Sequence, residues 1–330
     1  MDAILNIGID LILVLQMFGA WLLSPMQAFS ALGHESFYLL IAPAAFWCLD
    51  PAAGLRLGIG LMLSGAINSI FKLLFHGPRP YWFDPEIKPL SSEVSFGIPS
   101  AHAQNAVVFW GLLAYWIQRT WAWIAAILLM LLIGISRLYL GMHFPSDVIV
   151  GWILGILLLW LIIRLEKPFL DWFHRFQPAV QILIVFGSSL GLILIGALVR
   201  LGLRGWQIPQ SWIELSSRAP GAESIHPLSL SGLVTPAGAL FGLACGAIML
   251  NEIGWLDAKG SGWLRLGRYL LGLVGVIAFW KGLDVIFPDG DTIIPLILRF
   301  IRYTAIGLWV TYLAPLLFFK LKLAKPAHLS

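Results

Sequence analysis

Charged residues and cysteines are both scarce in this chain of 330 residues. Asp, Glu, Lys and Arg together make up 12% of the sequence, whereas soluble domains contain about 25%. The only two cysteines, Cys48 and Cys245, lie in separate apolar runs, so neither a disulfide framework nor a zinc-binding spacing is indicated. A net charge of +4, scattered along the chain, argues against nucleic acid as a partner. Because 59% of the residues are hydrophobic, the composition predicts a polytopic membrane protein.

Basic residues are also missing ahead of the first apolar stretch, which is not the pattern of a secretory signal peptide. Asp2, Asn6 and Asp10 recur every four residues and would form one polar stripe on a helix. The stripe favours an amphipathic helix at the membrane interface over a full span, and whether residues 4–23 cross the membrane stays open. The sequence contains no internal repeat.

Nine apolar runs, the first of them short, predict membrane-spanning helices. The predicted spans are 37–49, 55–75, 103–117, 121–135, 148–165, 180–199, 234–250, 266–285 and 293–319. Residues 166–178 are polar and aromatic, which predicts a surface connector. Residues 204–230 are rich in Pro, Ser and Gly, which predicts an external loop without a long helix.

The stretch between the fourth and fifth spans reads Ser-Arg-Leu-Tyr-Leu-Gly-Met-His-Phe-Pro-Ser-Asp and ends at Asp147. Pro145 suits the first turn of a helix, so Asp147 can fold back toward His143, four residues earlier. A carboxylate on one imidazole nitrogen leaves the other nitrogen as a strong nucleophile or base. Arg137 supplies a planar cationic fork suited to phosphate. The alternative interpretation is a snorkelling arginine and a capping aspartate at the membrane surface.

Two more polar stretches lie at the ends of apolar runs. Residues 72–80 read Lys-Leu-Leu-Phe-His-Gly-Pro-Arg-Pro, and residues 99–102 read Pro-Ser-Ala-His. The three stretches resemble, in order, the motifs K-x6-R-P, P-S-G-H and S-R-x5-H-x3-D of the type-2 phosphatidic-acid phosphatase family. That family includes membrane lipid phosphatases and is related to soluble acid phosphatases and vanadium haloperoxidases. The spacing matches at every position except Ala101, where the family usually has Gly, and the resemblance covers about residues 30–165.

The apolar spans and the resemblance together predict the fold class: an all-α, polytopic membrane helix bundle. The phosphatase core lies where the resemblance falls, and the later spans form an additional C-terminal membrane bundle. The core is predicted to comprise residues 1–168, including the N-terminal helix. The second bundle is predicted to comprise residues 179–330, with the external loop at 204–230. No motif is recognisable in the last half of the chain.

The resemblance also implies a role for each matching residue. His143 is the nucleophile that forms a phosphohistidine, Asp147 orients it, and His102 protonates the leaving oxygen and then activates water. The implied phosphate-binding residues are Lys72, Arg79, Ser100, Ala101 and Arg137. The position of Ala101 acts through its backbone N–H, so its methyl group is not expected to abolish activity. No metal or other cofactor is implied.

These roles predict an integral membrane phosphatase that hydrolyses a lipid phosphate or lipid diphosphate. Polyprenyl diphosphate, phosphatidic acid and phosphatidylglycerol phosphate all fit as substrates, and membrane lipids are the expected surroundings. One alternative is a lipid phosphotransferase that uses the same site. Another is a lipid transporter or scaffold without activity, which the complete set of motif residues argues against; a haloperoxidase is the least favoured. The sequence leaves the oligomeric state open.

The distribution of Lys and Arg predicts the orientation in the membrane. With the predicted spans, all three motifs fall on one face, and the opposite face carries a modest excess of basic residues. The positive-inside rule then places the motifs outside and the C-terminus in the cytoplasm. A bacterial inner-membrane protein with a periplasmic site is the favoured interpretation, with a lumenal site in a eukaryotic endomembrane as the alternative.

Overall fold

The computed structural model describes residues 2–327, with side chains from residue 5 onward. Its helices are α1 (Asp2–Met17), α2 (Leu23–Ala31), α3 (Glu35–Cys48), α4 (Pro51–Phe75), α5 (Pro80–Phe83), α6 (Ala101–Ile117), α7 (Thr120–Tyr139), α8 (Pro145–Phe173), α9 (Pro178–Gly202), α10 (Gln210–Ser216), α11 (Ser231–Glu252), α12 (Gly262–Ile277), α13 (Leu283–Ile286), α14 (Ile293–Leu308) and α15 (Ala314–Lys320). Shorter elements are a 3-10 turn at Ala20–Leu22, π-helical turns at Ala278–Gly282 and Trp309–Leu313, and the antiparallel strands β1 (Trp255–Asp257) and β2 (Lys325–Ala327). The all-α prediction is confirmed, with this one short ribbon added.

Seven helical segments between residues 2 and 327 are long and apolar enough to cross a membrane. They are Pro51–Phe83, Thr120–Tyr139, Pro145–Phe173, Pro178–Gly202, Ser231–Glu252, Gly262–Ile286 and Ile293–Lys320. The runs predicted at 37–49 and 103–117 form α3 and α6, which have 14 and 17 residues. α3 is shorter than the range of about 17–25 residues found for membrane spans, and α6 lies at the lower limit of that range. The polytopic membrane character of the chain is confirmed.

The N-terminal segment is a bent helix pair. Leu5–Met17 and Ala20–Ala31 together have the length and apolarity of one span, but their axes meet at 90°. Asn6 and Asp10 are exposed on α1, as the polar stripe predicts, whereas Ile12 on the other face is fully buried.

The surface connector predicted at residues 166–178 is wrong over most of its length. α8 continues through Pro168 to Phe173, and only residues 174–177 separate it from α9. The rings of Phe169 and Phe173 stack at 5.3 Å, and Lys167 pairs with Asp171 at 3.0 Å across one helical turn. These contacts between side chains one turn apart favour helix over irregular chain.

The described residues form two compact units. The first comprises residues 2–37, 67–160 and 195–229, and the second comprises residues 38–66, 161–194 and 230–327. Four of the boundaries fall within α3, α4, α8 and α9, and the fifth lies just before α11, so each unit combines segments that are distant in the sequence. The division at residues 168 and 179 stays a prediction.

The main core of the first unit gathers the segments that carry the three motifs. Trp82 after the first motif, Met142 and Phe144 within the third, and Ile225 from the predicted external loop all belong to one buried cluster. Burying a side chain of this size stabilises the fold by about 1.5–3 kcal/mol. The loop at 204–230 therefore contributes to the core of this unit.

Glycines allow α8 to approach α6 closely inside the first unit. A Cβ on Gly151 would lie 2.7 Å from the carbonyl oxygen of Ser100, and one on Gly155 would lie 2.8 Å from Cβ of Val107. This is the small-residue spacing that lets two membrane helices touch along their backbones. The contact fixes the N-terminus of α6 beside the first turns of α8.

The second unit has its own core, centred on Trp47. The indole is fully buried, donates to the carbonyl of Val310 at 2.8 Å, and meets the ring of Phe318 edge-on. α11 and α14 pack with their backbones close together, since a Cβ on Gly242 would lie 2.2 Å from the carbonyl oxygen of Thr304. These contacts hold the C-terminal helices as one unit.

Ion pairs join charged residues near the ends of the last helices. Arg302 forms an ion pair with Asp284, and Arg299 pairs with Asp289 at 3.0 Å. Arg268 is fully buried and donates to the carbonyls at 257–259, the first of which ends β1. These cations have structural acceptors, which is the requirement for a buried charge.

We expect Gly151→Ala to destabilise the protein, because the new methyl group would collide with a backbone carbonyl that cannot move away. Overpacking of this kind costs about 1–3 kcal/mol, more than the roughly 1 kcal/mol that Ala gains over Gly in a helix. Gly187→Ala is the matched control, since no atom lies within 4 Å of its added Cβ. Thermal unfolding in detergent should give a lower midpoint for the first variant and an equal or higher one for the second. Equal midpoints for the two variants would contradict the close α6–α8 contact.

Candidate active site

The two cations of the first motif lie at the end of α4 and just before α5. Lys72 occupies the last turn of α4, and Arg79 is the extended residue that precedes Pro80. Pro80 suits this place because its fixed φ and missing N–H fit a first helical turn. Both cationic side chains are buried, so each requires acceptors from the protein.

The second motif forms the N-terminus of α6. Ser100 is the N-cap residue, and its hydroxyl accepts from the N–H of Ala103 at 3.4 Å. The N–H of Ser100 donates to the carbonyl of Asp147 at 3.0 Å, which links this motif to the third. Ala101 is the first residue of α6. His102 is buried, and within the described residues its Nε2 has no hydrogen-bond partner.

The third motif folds back on itself through a tight turn after α7. The N–H groups of Met142 and His143 both donate to the carbonyl of Arg137, at 3.0 and 3.3 Å. Gly141 has φ +74°, and a Cβ there would lie 2.9 Å from the carbonyl oxygen of Lys88. Glycine is therefore required both for this conformation and for the close approach.

His143 and Asp147 form a buried pair. His143 Nδ1 lies 3.3 Å from Asp147 Oδ2, and the same oxygen accepts from the N–H of Phe144 at 2.9 Å. Burial lowers the pKa of His143 well below 6.5, and the positive charges of Arg79, Arg137 and Lys72 lower it further. The imidazole is therefore neutral at pH 7, with Nδ1–H donating to Asp147 and the lone pair on Nε2.

Lys72, Arg79, Arg137 and His143 lie around residues 93–96, which belong to the connection between the first and second motifs. Arg79 Nη1 lies 3.3 Å from His143 Nε2. Lys72 and Arg79 both donate to Ser95, and Arg137 donates to Glu93. The structure thus brings together Lys72, Arg79, Arg137, His143 and Asp147, with Ser100 joined through Asp147.

Three residues in this network were not identified from the sequence. Glu93 pairs with Arg137, Ser95 accepts from two cations, and Ser30 on α2 accepts from Arg137 Nη1 at 2.8 Å. Burial opposes ionisation of Glu93, but Arg79 and Arg137 outweigh it and hold the pKa of this carboxyl below its usual range. The one available signal was that three motif cations in an apolar setting require counter-charges.

Aromatic residues of the loop at 204–230 cover this segment. The ring of Trp206 packs edge-on against Phe96 at 5.5 Å and against His76 at 5.9 Å. The ring of Trp212 on α10 lies 5.9 Å from that of Trp82. The loop therefore packs beside the first motif.

The chemistry of the site suits an anion. Three buried cations, a neutral imidazole held by a carboxylate and the N–H groups at the start of α6 are the kinds of donor and nucleophile that phosphate chemistry uses. Among residues 2–327, no three His, Cys, Asp or Glu side chains form a group that would hold a metal ion. That the reaction needs no metal stays a prediction. The fold and site define a helical membrane protein with a phosphate-type anion site.

Comparison with known proteins gives the family. Residues 53–170 match the PAP2 superfamily, and residues 234–326 match the PAP2 superfamily phosphatase, transmembrane extension. Phosphatidylglycerophosphatase B of Bacillus subtilis is 31% identical over 170 residues, which cover 48% of this chain and 79% of that protein. Sphingosine-1-phosphate phosphatase 2 of Homo sapiens is 30% identical over 170 residues, covering 48% and 41%. Glucose-6-phosphatase 3 of Bos taurus is 26% identical over 260 residues, covering 66% and 71%.

The chain belongs to the PAP2 superfamily and is an integral membrane phosphatase that hydrolyses phosphoric monoesters. The predicted family and enzyme class are thereby confirmed. The extension at 234–326 covers much of the C-terminal region in which the sequence offered no recognisable motif. The role of each site residue stays a prediction.

We expect stability to fall as the pH drops below about 6.5, partly through His143. Its pKa is lower in the folded chain than the ordinary 6.5, so the unfolded chain binds the proton first. This one group can contribute a slope of up to about 1.4 kcal/mol per pH unit between its folded and unfolded pKa values. The thermal midpoint of His143→Gln should fall less with decreasing pH than that of the unsubstituted protein. His174→Gln, at an exposed position, should keep the original slope, and equal slopes for all three would contradict the assignment.

Proposed function

We propose that this phosphatase hydrolyses a lipid phosphate or lipid diphosphate through a phosphohistidine on His143. The observation that carries the proposal is the orientation of the His143 ring, whose two nitrogens face different partners. Nδ1 faces Asp147 at 3.3 Å, and Nε2 faces Arg79 at 3.3 Å. A phosphate that takes the place of this Arg79 contact would meet the lone pair of a neutral histidine.

In the first step, His143 Nε2 attacks phosphorus and the bond from phosphorus to the leaving oxygen breaks. Lys72, Arg79 and Arg137 neutralise the charge on the non-bridging oxygens, while Asp147 stabilises the imidazolium that develops. His102, in its imidazolium form for this step, gives a proton to the leaving oxygen and becomes neutral. Its unpartnered Nε2 supports this role, because a general acid must be free to reach the substrate.

In the second step, water attacks the phosphorus of the phosphohistidine. His102 takes a proton from that water, the bond between phosphorus and Nε2 breaks, and inorganic phosphate leaves. His143 returns to its neutral form with Nδ1–H on Asp147. A lipid phosphotransferase would follow the same sequence with a lipid hydroxyl in place of water.

A lipid substrate is supported by the relatives and by the surroundings of the site. Two of the three relatives carry names that specify a lipid phosphate, phosphatidylglycerophosphate and sphingosine 1-phosphate. The half-buried rings of Trp206 and Trp212 contact each other, and Trp206 also packs on the buried Phe96 of the segment that contacts the cations. Aromatic side chains of this kind suit the membrane–water boundary, where a lipid headgroup lies.

We expect His143→Ala to lose both phosphate release and the trapped phosphoenzyme while the protein remains folded. The assay is phosphate release from phosphatidylglycerol phosphate, phosphatidic acid, a polyprenyl diphosphate and glucose 6-phosphate. The phosphoenzyme is trapped from labelled substrate by an alkaline denaturing quench, because phosphohistidine is labile in acid. His174→Ala is the control for loss of an exposed histidine and should keep full activity. Turnover by His143→Ala would disprove the covalent mechanism, and a preference for glucose 6-phosphate would disprove the lipid assignment.

We further propose that the site faces the periplasm and that the C-terminus is cytoplasmic. Lys88 follows the first motif and has an exposed side chain, while its backbone exchanges hydrogen bonds with the side chain of Gln16. Lys88→Cys should therefore react with an impermeant thiol reagent in intact cells. Arg119→Cys, exposed between α6 and α7, should react only after lysis. The reverse pattern would invert the orientation, and the unsubstituted protein measures the background from Cys48 and Cys245.

A further inference from the structure

The backbone of residues 93–96 occupies the cations that the proposed mechanism assigns to phosphate. Lys72 Nζ donates to the hydroxyl of Ser95 at 3.0 Å and to the carbonyl of Phe96 at 2.5 Å. Two of the three N–H donors of Lys72 therefore have acceptors in this segment. A phosphate oxygen would have to replace one of these acceptors or use the remaining N–H.

Arg79 has no donor left for a substrate. Its Nε donates to the carbonyl of Ser95 at 2.7 Å, and Nη2 donates to the hydroxyl of Ser95 and the carbonyl of Phe96, each at 3.2 Å. Nη1 donates to the carbonyl of Met142 at 3.0 Å and to His143 Nε2 at 3.3 Å. A guanidinium has five N–H groups, and all five have acceptors here.

The carboxylate of Glu93 lies between Arg79 and Arg137, in the position that a bound phosphate would take. Oε1 accepts from Arg137 Nη2 at 2.8 Å, and Oε2 lies 3.7 Å from Arg79 Nη2. A carboxylate that joins two guanidinium groups through two oxygens copies the geometry of a bound phosphate. The side chain of Glu93 is 30% exposed, whereas those of Arg79 and Arg137 are 1% and 3% exposed. The carboxylate can therefore move into water, and the arginines cannot.

The charges of the site favour replacement of the Glu93 carboxylate by phosphate. Between turnovers both histidines are neutral and the opposite charges of Lys72 and Asp147 cancel, which leaves two positive charges on Arg79 and Arg137 and one negative charge on Glu93. A phosphate monoester adds about −1.5 to −2 at pH 7. If Glu93 stayed in place, the buried cluster would become net negative, but departure of the carboxylate into water brings it close to neutrality.

We propose that Glu93 is a displaceable internal anion that occupies the phosphate position between turnovers and drives out inorganic phosphate at the end of each cycle. The proposal rests on the proposed function, since it uses the same phosphate site. A cradle of three buried cations binds substrate and product phosphate alike, and tight product binding slows turnover. Because Glu93 belongs to the segment that contacts these cations, its carboxylate stays near them and competes with product phosphate for the same position.

The loop at 204–230 limits how far this segment can withdraw. The N–H of His226 donates to the carbonyl of Val94 at 3.1 Å, and the hydroxyl of Ser92 donates to the carbonyl of Gly221 at 3.4 Å. Trp206 packs on Phe96 from the same side. These contacts keep the carboxylate close to the arginines after it has been displaced, so it returns when phosphate leaves.

The test is equilibrium binding of labelled inorganic phosphate to the purified full chain in detergent, which requires no turnover. Glu93→Gln should bind phosphate about tenfold more tightly, because the competing anion is gone and the competent state is populated more often. Glu86→Gln removes the same charge from an exposed position in the same connection and should leave the affinity unchanged. Weaker binding by Glu93→Gln would show that the carboxylate orients the arginines for substrate, and equal binding would show that it does not compete; either result overturns the proposal.

A second measurement uses the unsubstituted protein, so it does not depend on how the variant folds. The N–H of Glu93 donates to the hydroxyl of Tyr81 at 3.1 Å, a bond that breaks if the segment leaves the cations. Hydrogen exchange over residues 92–96 should become faster in saturating phosphate than in chloride of equal ionic strength. Unchanged or slower exchange would overturn the proposal. Phosphoenzyme trapping on His143 is independent of both results, so failure here and failure of the proposed function are distinguishable.

Discussion

The burial of three cations in an apolar helical unit is the constraint on which the first unit depends. A buried cation without acceptors costs several kcal/mol, so each of the three must be surrounded by oxygen atoms. Lys72 and Arg79 receive backbone carbonyls from residues 95, 96 and 142, and Arg137 receives a carboxylate from Glu93. The connection between the first two motifs is consequently a folded part of the site, although its composition is that of a loop.

Because many of these acceptors belong to the backbone, the chain itself must come close to the motifs. Gly97 shows the consequence, since a Cβ there would lie 2.3 Å from the carbonyl oxygen of Pro78 and 3.2 Å from Asp147 Oδ2. Gly141 and Gly151 meet the same demand at the turn after α7 and at the start of α8. In the resting site these backbone acceptors orient the cations before any substrate arrives, which is the condition for electrostatic catalysis.

The sequence predicted most of the helices and the contacts among the motif residues. It did not predict the helical end of α8 or the role of Glu93, and each has a physical reason. Apolar runs locate helices because a membrane span requires about 20 such residues, but polarity does not end a helix, so the connector predicted at 166–178 was wrong where α8 continues to Phe173. The spacing of His143 and Asp147 predicted their contact, and the family resemblance implied that Arg79 would join them. Glu93 carries no such pattern, because it looks like the exposed Glu86 until the fold brings it to Arg137.

One environment produces the two opposite properties that the chemistry needs. Burial among positive charges keeps His143 neutral, as its proposed role as nucleophile requires, and the same low dielectric strengthens every interaction between the cations and an anion. Strong attraction for the substrate's phosphate is equally strong attraction for the product, so preorganisation by itself would slow release. In this site the cations bind oxygen atoms of residues 93–96 when no phosphate is present. These oxygens stay close to the cations and compete with the product phosphate, so that tight binding need not slow its release. Preorganisation and release then depend on the same carbonyls and the same carboxylate.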